Sequence, residues 1–144
     1  MSTGYCIHTY FYKRVLIIGS DEELHNMLLR EFENQGYRVR SPIAFANAVK
    51  LLETYNFALC MTMGYVDNKE IELLISQVRR SSDRNASMPF ILYDRVMKVS
   101  IKKARQAGFA GTFAANHDTF DDLRALVTKV QQEQQPSNES FIHI

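Results

Sequence analysis

Five times along this chain a short apolar run is followed by a stretch with helical periodicity. That alternation limits the fold more than any single residue does. The first run is Val15–Leu16–Ile17–Ile18, and it ends in Gly19–Ser20. A continuous run rich in β-branched residues reads as a strand buried on both faces. A helix follows at once. Ser20 and Glu23 have capping-box spacing, in which the Ser side chain accepts from the amide at N3 and the Glu reaches back to the cap amide. Leu24, Met27, Leu28 and Phe32 recur on one face of the stretch Asp21–Gln35, and Gly36 stands where a C′ glycine belongs.

The pattern repeats to the end of the chain. Tyr37–Val39 reads as a short second strand, alternating with Arg38 and Arg40, and Pro42 breaks it. Ala44–Tyr55 reads as the second helix, with Phe45, Ala48, Val49 and Leu52 inward. Phe57–Met63 is a central strand. Asp67 or Asn68 caps a third helix reaching Arg80, carrying Ile71, Leu74, Ile75 and Val78. Ser81–Ser87 is a polar loop, and Pro89–Tyr93 is a fourth strand with Pro at its tolerated first position. Met97–Ala107 is a fourth helix ended by Gly108, and Gly111–Ala114 is a fifth strand. Thr119 with Asp122 caps a last helix holding Leu123, Leu126, Val127 and Val130. Strands alternating with helices imply a parallel sheet covered on both faces, joined by right-handed crossovers. The expected fold is α/β: a (βα)5 flavodoxin-like three-layer sandwich with a five-stranded parallel sheet in the order 2-1-3-4-5.

Length and composition narrow the function classes. The 144 residues suit one domain. Residues 13–131 form it. Residues 1–12 are an N-terminal extension with Tyr5, Tyr10, Phe11 and Tyr12, and the Gln-rich stretch 132–144, broken by Pro136, reads as a disordered tail. A formal net charge of +1 gives no global pull toward nucleic acid or membrane. No apolar stretch approaches the ~20 residues of a membrane span. No secretory pattern stands at the N-terminus, so a cytoplasmic location is expected. Cys6 and Cys60 make neither a metal-ligand spacing nor a disulfide framework, and Cys60 reads as a buried thiol. His8, His25, His117 and His143 are scattered. Gly19 stands without a GxGxxG pattern, which leaves no glycine-rich phosphate cradle after the first strand. No metal, no cofactor and no enzymatic activity are expected.

At this point the sequence resembles the receiver domain of bacterial response regulators, over residues 13–131. The first strand and helix look like that family's opening segment. Ala46–Tyr55 followed by Phe57 is similar to its second helix leading into the third strand, and Glu72–Leu73–Leu74 to a pattern of its third helix. Pro89–Phe90–Ile91–Leu92 is similar to the fourth strand, and Gln106–Ala107–Gly108 with Gly111–Thr112–Phe113 to the run into the fifth.

The resemblance implies a polar pocket at the carboxyl ends of the strands, and each of its positions is altered here. The acidic pair that would hold Mg²⁺ through oxygens aligns with Gly19 and Ser20. Asp21 is next along, at the helix N-terminus, where a carboxylate complements the dipole. The phospho-accepting Asp aligns with Met63, or with Thr62 in a frame shifted by one. The phosphoryl-binding Ser/Thr aligns with Tyr93 counted back from Gly108, or with Asp94 counted forward from Pro89. The Lys of the fifth-strand loop aligns with Ala115. Without nucleophile, metal site and Lys, phosphoryl transfer has neither positioning nor charge stabilisation. The expected pocket of Gly19, Ser20, Met63, Tyr93, Asp94 and Ala115 is a degenerate one, filled by Met63. Asp94 beside Arg95 is read as a surface ion pair or a helix cap.

These residues are expected to make a pseudo-receiver: a phosphorylation-independent signalling module acting through its surface. The resemblance implies docking or homodimerisation through the fourth helix, fifth strand and fifth helix, with another signalling protein as partner. Arg95, Lys98, Lys102, Lys103 and Arg105 would present a basic face there, Lys98, Lys102 and Arg105 on one helical stripe. Thr112 stands at the aromatic position that reports phosphorylation in that family. Two alternatives stay open: a phosphorylatable regulator using Asp67 or Asp94, and a flavodoxin-like binder of a small ligand. Nothing resembles a nucleic-acid recognition helix.

Overall fold

Side-chain parity along the first strand sorts the core into two faces. In the computed structural model, which describes residues 13–42, 45–63, 69–80 and 85–133, strand β1 (Arg14–Ile18) lies inside the sheet. Val15 and Ile17 point to one side, Leu16 and Ile18 to the other, as the two-residue period of a strand requires. A segment apolar at every position can bury both sides at once, which is why the continuous runs become interior strands.

The elements follow in strict alternation. Helix α1 (Glu22–Asn34) leads to β2 (Arg38–Arg40), α2 (Phe45–Thr54) to β3 (Leu59–Met63), and α3 (Lys69–Arg80) to β4 (Phe90–Asp94). Helix α4 (Ile101–Gln106), β5 (Gly111–Ala114) and α5 (Phe120–Glu133) complete the order. All four strand pairs are parallel, and the sheet order is β2-β1-β3-β4-β5. This is the expected doubly wound arrangement.

Helices α1 and α5 cover one face. Leu24, Leu28 and Phe32 meet Val15, Ile17, Met61, Tyr93 and Phe113, with Leu123, Val127 and Val130 beside them. Burying side chains of this size contributes about 1.5–3 kcal/mol each. Arg124 Nη2 of α5 pairs with the buried Glu31 of α1 at 3.0 Å. Helices α2, α3 and α4 cover the other face, over Leu16, Ile18, Cys60, Phe90 and Leu92. Val49, one of the four inward residues expected for α2, is half-buried, while Ala48 and Leu52 are buried. Cys60 is fully buried, and that burial pushes its thiol up to about 12.

Several local expectations change. The N-cap of α1 is Asp21, not Ser20: Asp21 is extended (φ −82°, ψ 99°) and its carboxylate accepts from Leu24 N at 3.1 Å. Ser20 lies outside the helix and exposed. Helix α4 is shorter than the expected Met97–Ala107, because Ser100 caps it by accepting from Lys103 N at 3.1 Å. Lys98 therefore precedes the helix, and the stripe it was to share with Lys102 and Arg105 does not form as one helical row. The last helix starts as read: Thr119 N donates to Asp122 Oδ2 and Asp122 N to Thr119 Oγ1, at 2.8 and 3.1 Å. It runs two residues beyond the expected domain limit, to Glu133. The expected cap at Asp67 or Asn68, the extension 1–12 and most of the tail lie outside the described residues.

Asn85 corrects the reading of Ser81–Ser87 as a plain polar loop. It is 3% exposed. Its amide nitrogen donates to Leu52 O (2.7 Å) and Tyr55 O (2.8 Å), and its Oδ1 accepts from Phe57 N (2.9 Å). One side chain thus satisfies carbonyls at the end of α2 and an amide before β3.

Candidate functional site

In an open α/β sheet ligands bind at the carboxyl ends of the strands, next to the point where the strand order reverses. Here that place is the end of β1 and β3. Parity and register decide what stands there. Met63 and Tyr93 are register partners across β3 and β4, and Tyr93 pairs with Phe113 across β4 and β5. All three join the cluster on the α1–α5 face, and so does Ala115.

Tyr93 is fully buried, and its hydroxyl donates to Ile18 O at 3.2 Å. Burial pushes its phenol well above the ordinary tyrosine range, so the hydroxyl stays protonated and remains a donor. Gly19 sits directly above. A Cβ at Gly19 would collide with the Tyr93 hydroxyl and would stand 2.7 Å from Met63 Cβ. The structure therefore brings Gly19, Met63 and Tyr93 together, and Ala115 packs against the same core cluster. Tyr93 is buried there, with Met63 half-buried beside it.

Ser20 and Asp94 stand at the mouth instead. Asp94 ends β4 opposite Ala114, and its Oδ1 accepts from Arg95 N at 2.7 Å. Ala115 N donates to Asp94 O at 2.8 Å, and Asn116 N to Arg95 O at 2.8 Å, so backbone joins the two loops. Thr62, the alternative to Met63, is fully buried, with Oγ1 3.5 Å from Cys60 Sγ on the opposite face of the sheet.

The charged pair at the mouth differs from the one expected. Arg95 does not stand on a basic face, and its side chain is not paired with Asp94. Its Nε donates to Asp21 Oδ2 at 2.6 Å and its Nη2 to Asp21 Oδ1 at 2.9 Å, with Glu23 at 3.5 Å from Nη1. The guanidinium first, and the Leu24 amide second, hold the Asp21 carboxyl below its ordinary value. A bidentate Arg–carboxylate pair of this kind is a strong, directional contact. Nothing local in the sequence signals it. Of the remaining face, Lys102, Lys103 and Arg105 are exposed on α4, Lys98 is exposed before it, and Thr112 is half-buried in β5.

A hard divalent cation is held through several oxygen ligands. Gly19, Met63 and Ala115 supply no side-chain oxygen, Ser20 and Asp94 each supply one group, and Asp21 is engaged by Arg95 and Leu24. Among the described residues no group of three or more His, Cys, Asp or Glu is placed to hold a metal ion. No described helix is long and apolar enough to cross a membrane.

Known structures share this architecture. The signal receiver domain of an HD domain-containing protein from Pseudomonas fluorescens superposes with a TM-score of 0.69 at 18% identity, covering 90% of this chain and 93% of that one. A CheY-like response regulator receiver domain protein from Methanospirillum hungatei gives 0.68 at 18%, covering 88% and 98%. The receiver domain of a sensor histidine kinase from Pseudomonas aeruginosa, with magnesium coordinated in its active-site cleft, gives 0.68 at 13%, covering 84% and 98%. No family model and no curated protein matches the sequence. The chain has the fold of response-regulator receiver domains, the signalling modules of two-component systems.

Proposed function

We propose that this chain is a non-catalytic receiver-like module that signals by protein–protein contact, without an aspartyl-phosphate switch. One observation supports the reading most: Tyr93, at a position where the resemblance puts the phosphoryl-binding Ser/Thr, is buried, and its hydroxyl donates to Ile18 O beneath Gly19. The positions aligned with the acidic pair, the acceptor and the Lys are Gly19, Ser20, Met63 and Ala115, and none supplies a carboxylate or an ammonium. Fold and chemistry are separable, so a preserved core with such a pocket suits a scaffold that works through its surface. The proposed surface is α4, β5 and α5, with Lys98, Lys102, Lys103, Arg105 and Thr112. The proposed partner is another signalling protein of complementary acidic character, or a second copy. A cytoplasmic location goes with this reading and keeps Cys60 a thiol.

An amide NMR titration with Mg²⁺ and then beryllium fluoride, a mimic of aspartyl phosphate, tests it. No saturable shift is expected at Gly19, Met63, Tyr93 or Asp94. Saturable shifts clustered there would overturn the proposal.

A further inference from the structure

The end of β2 carries a second constellation, on the strand next to the cleft at β1 and β3. A surface cavity of about 370 Å³ opens between β2 and α2, lined by Arg40, Ser41, Pro42, Asn47, Lys50 and Leu51. Guanidinium, ammonium, hydroxyl and amide all offer donors there, and no carboxylate is among these residues. Neither Arg40 nor Lys50 joins a salt bridge among the described residues. Glu53, the one acidic residue of α2, lines the groove on the α3 side instead.

The positive charge is concentrated by the sheet. Arg14 lies opposite Arg38 and Leu16 opposite Arg40, and Leu16 faces the α2 side. Arg14, Arg38 and Arg40 therefore share that face by parity. The guanidinium groups of Arg14 and Arg40 both lie over the Tyr55 ring, at 4.8 and 5.5 Å from its centre. The ring contact holds Arg40 against the end of α2. Pro42 and Leu51 add an apolar wall. The volume falls at the lower end of the range for small-molecule sites, about 300–1,000 Å³.

We infer that this cavity binds a small phosphate-bearing molecule, its phosphate between Arg40 and Lys50 and its apolar part over Pro42 and Leu51. Guanidinium suits the phosphate geometry through paired N–H donors, and Lys50 supplies a point charge. The site is independent of the reading given for the cleft.

The test is an amide NMR titration of the full chain with inorganic phosphate and, separately, with adenosine monophosphate, at constant ionic strength against chloride. Saturable shifts are expected at Ser41, Asn47, Lys50 and Leu51 with at least one phosphate probe. Response to adenosine monophosphate alone would mean that the apolar wall contributes. The Arg40→Gln/Lys50→Gln variant should weaken binding by about tenfold or more, since charged hydrogen bonds are lost. Both residues are exposed, so its melting temperature should fall by no more than the loss of the Arg40–Tyr55 contact costs, and Glu53→Gln should bind as the parent does. Shifts that fail to saturate, that chloride reproduces, or that survive the double substitution would overturn the assignment.

Discussion

Asp21 and Arg95, 74 residues apart in the chain, meet at 2.6 Å and tie the start of α1 to the segment after β4. The same carboxylate caps α1 through Leu24 N. Two jobs fall on one side chain: it holds a helix terminus, and it anchors the segment after β4 through Arg95.

That double role makes a pH-dependent prediction. The Asp21 carboxyl is held below its ordinary 3.8 in the folded chain, by Arg95 first. A carboxyl lowered on folding contributes stability that is present above its unfolded value and is lost as the pH falls through its folded value. Asp21→Asn keeps an oxygen for the cap and removes the charge. The parent should melt higher than this variant at neutral pH, and the gap should close as the pH falls below 3.8. Added salt should narrow it too, because the pair is partly exposed. Thermal melts across that range check this, and a gap independent of pH and salt would reduce Asp21 to a cap.

Tyr93 and Gly19 should be coupled. Tyr93→Phe keeps the ring and strands the Ile18 carbonyl, costing about 1 kcal/mol. Gly19→Ala overfills the site and should cost about 1–3 kcal/mol. Removing the hydroxyl makes room for the new methyl group, so the double variant should cost less than the sum. Chemical denaturation of the four proteins measures the interaction, and strict additivity would mean that the two residues do not touch.

Asn85 is the most exacting polar position of the core. Asn85→Ala leaves Phe57 N–H and the Leu52 and Tyr55 carbonyls without this partner. The expected loss is about 2–4 kcal/mol, more than an exposed Asn would give. Asn47→Ala, on the exposed side of α2, is the reference. Equal denaturation midpoints for the two would refute it.

The two glycines that close helices should differ. Both have positive φ, +90° at Gly36 and +108° at Gly108. A Cβ at Gly36 meets open space, whereas one at Gly108 lies 2.8 Å from Ile75 Cγ2. Gly36→Ala should cost about 1 kcal/mol for backbone conformation alone. Gly108→Ala should cost clearly more, since Ile75 is a buried residue with little room to yield. Melting temperatures rank the pair.

The strand ends were legible because apolar runs stop abruptly at Gly19, Met63 and Ala115. The resemblance to receiver domains then named the positions around the cleft. Their roles could not. Whether Tyr93 or Asp94 turns inward depends on register with β3, where Met63 pairs with Tyr93. Arg95 looked like one more cation in a basic run, and only the folded chain gives it to Asp21. Helix α4 was overestimated because Met97 supplies helical apolar spacing ahead of Ser100, the cap at which the helix begins.

By itself the sequence determined the alternation of strand and helix, the burial of the apolar runs and the closing glycines. These follow from side-chain period and backbone sterics, which act over a few residues. Tertiary structure alone decided the contacts Tyr93–Ile18, Asp21–Arg95 and Asn85–Phe57, and the gathering of Arg40 with Lys50. Such contacts join separate segments, and their geometry is set by strand order and register, which no local pattern encodes.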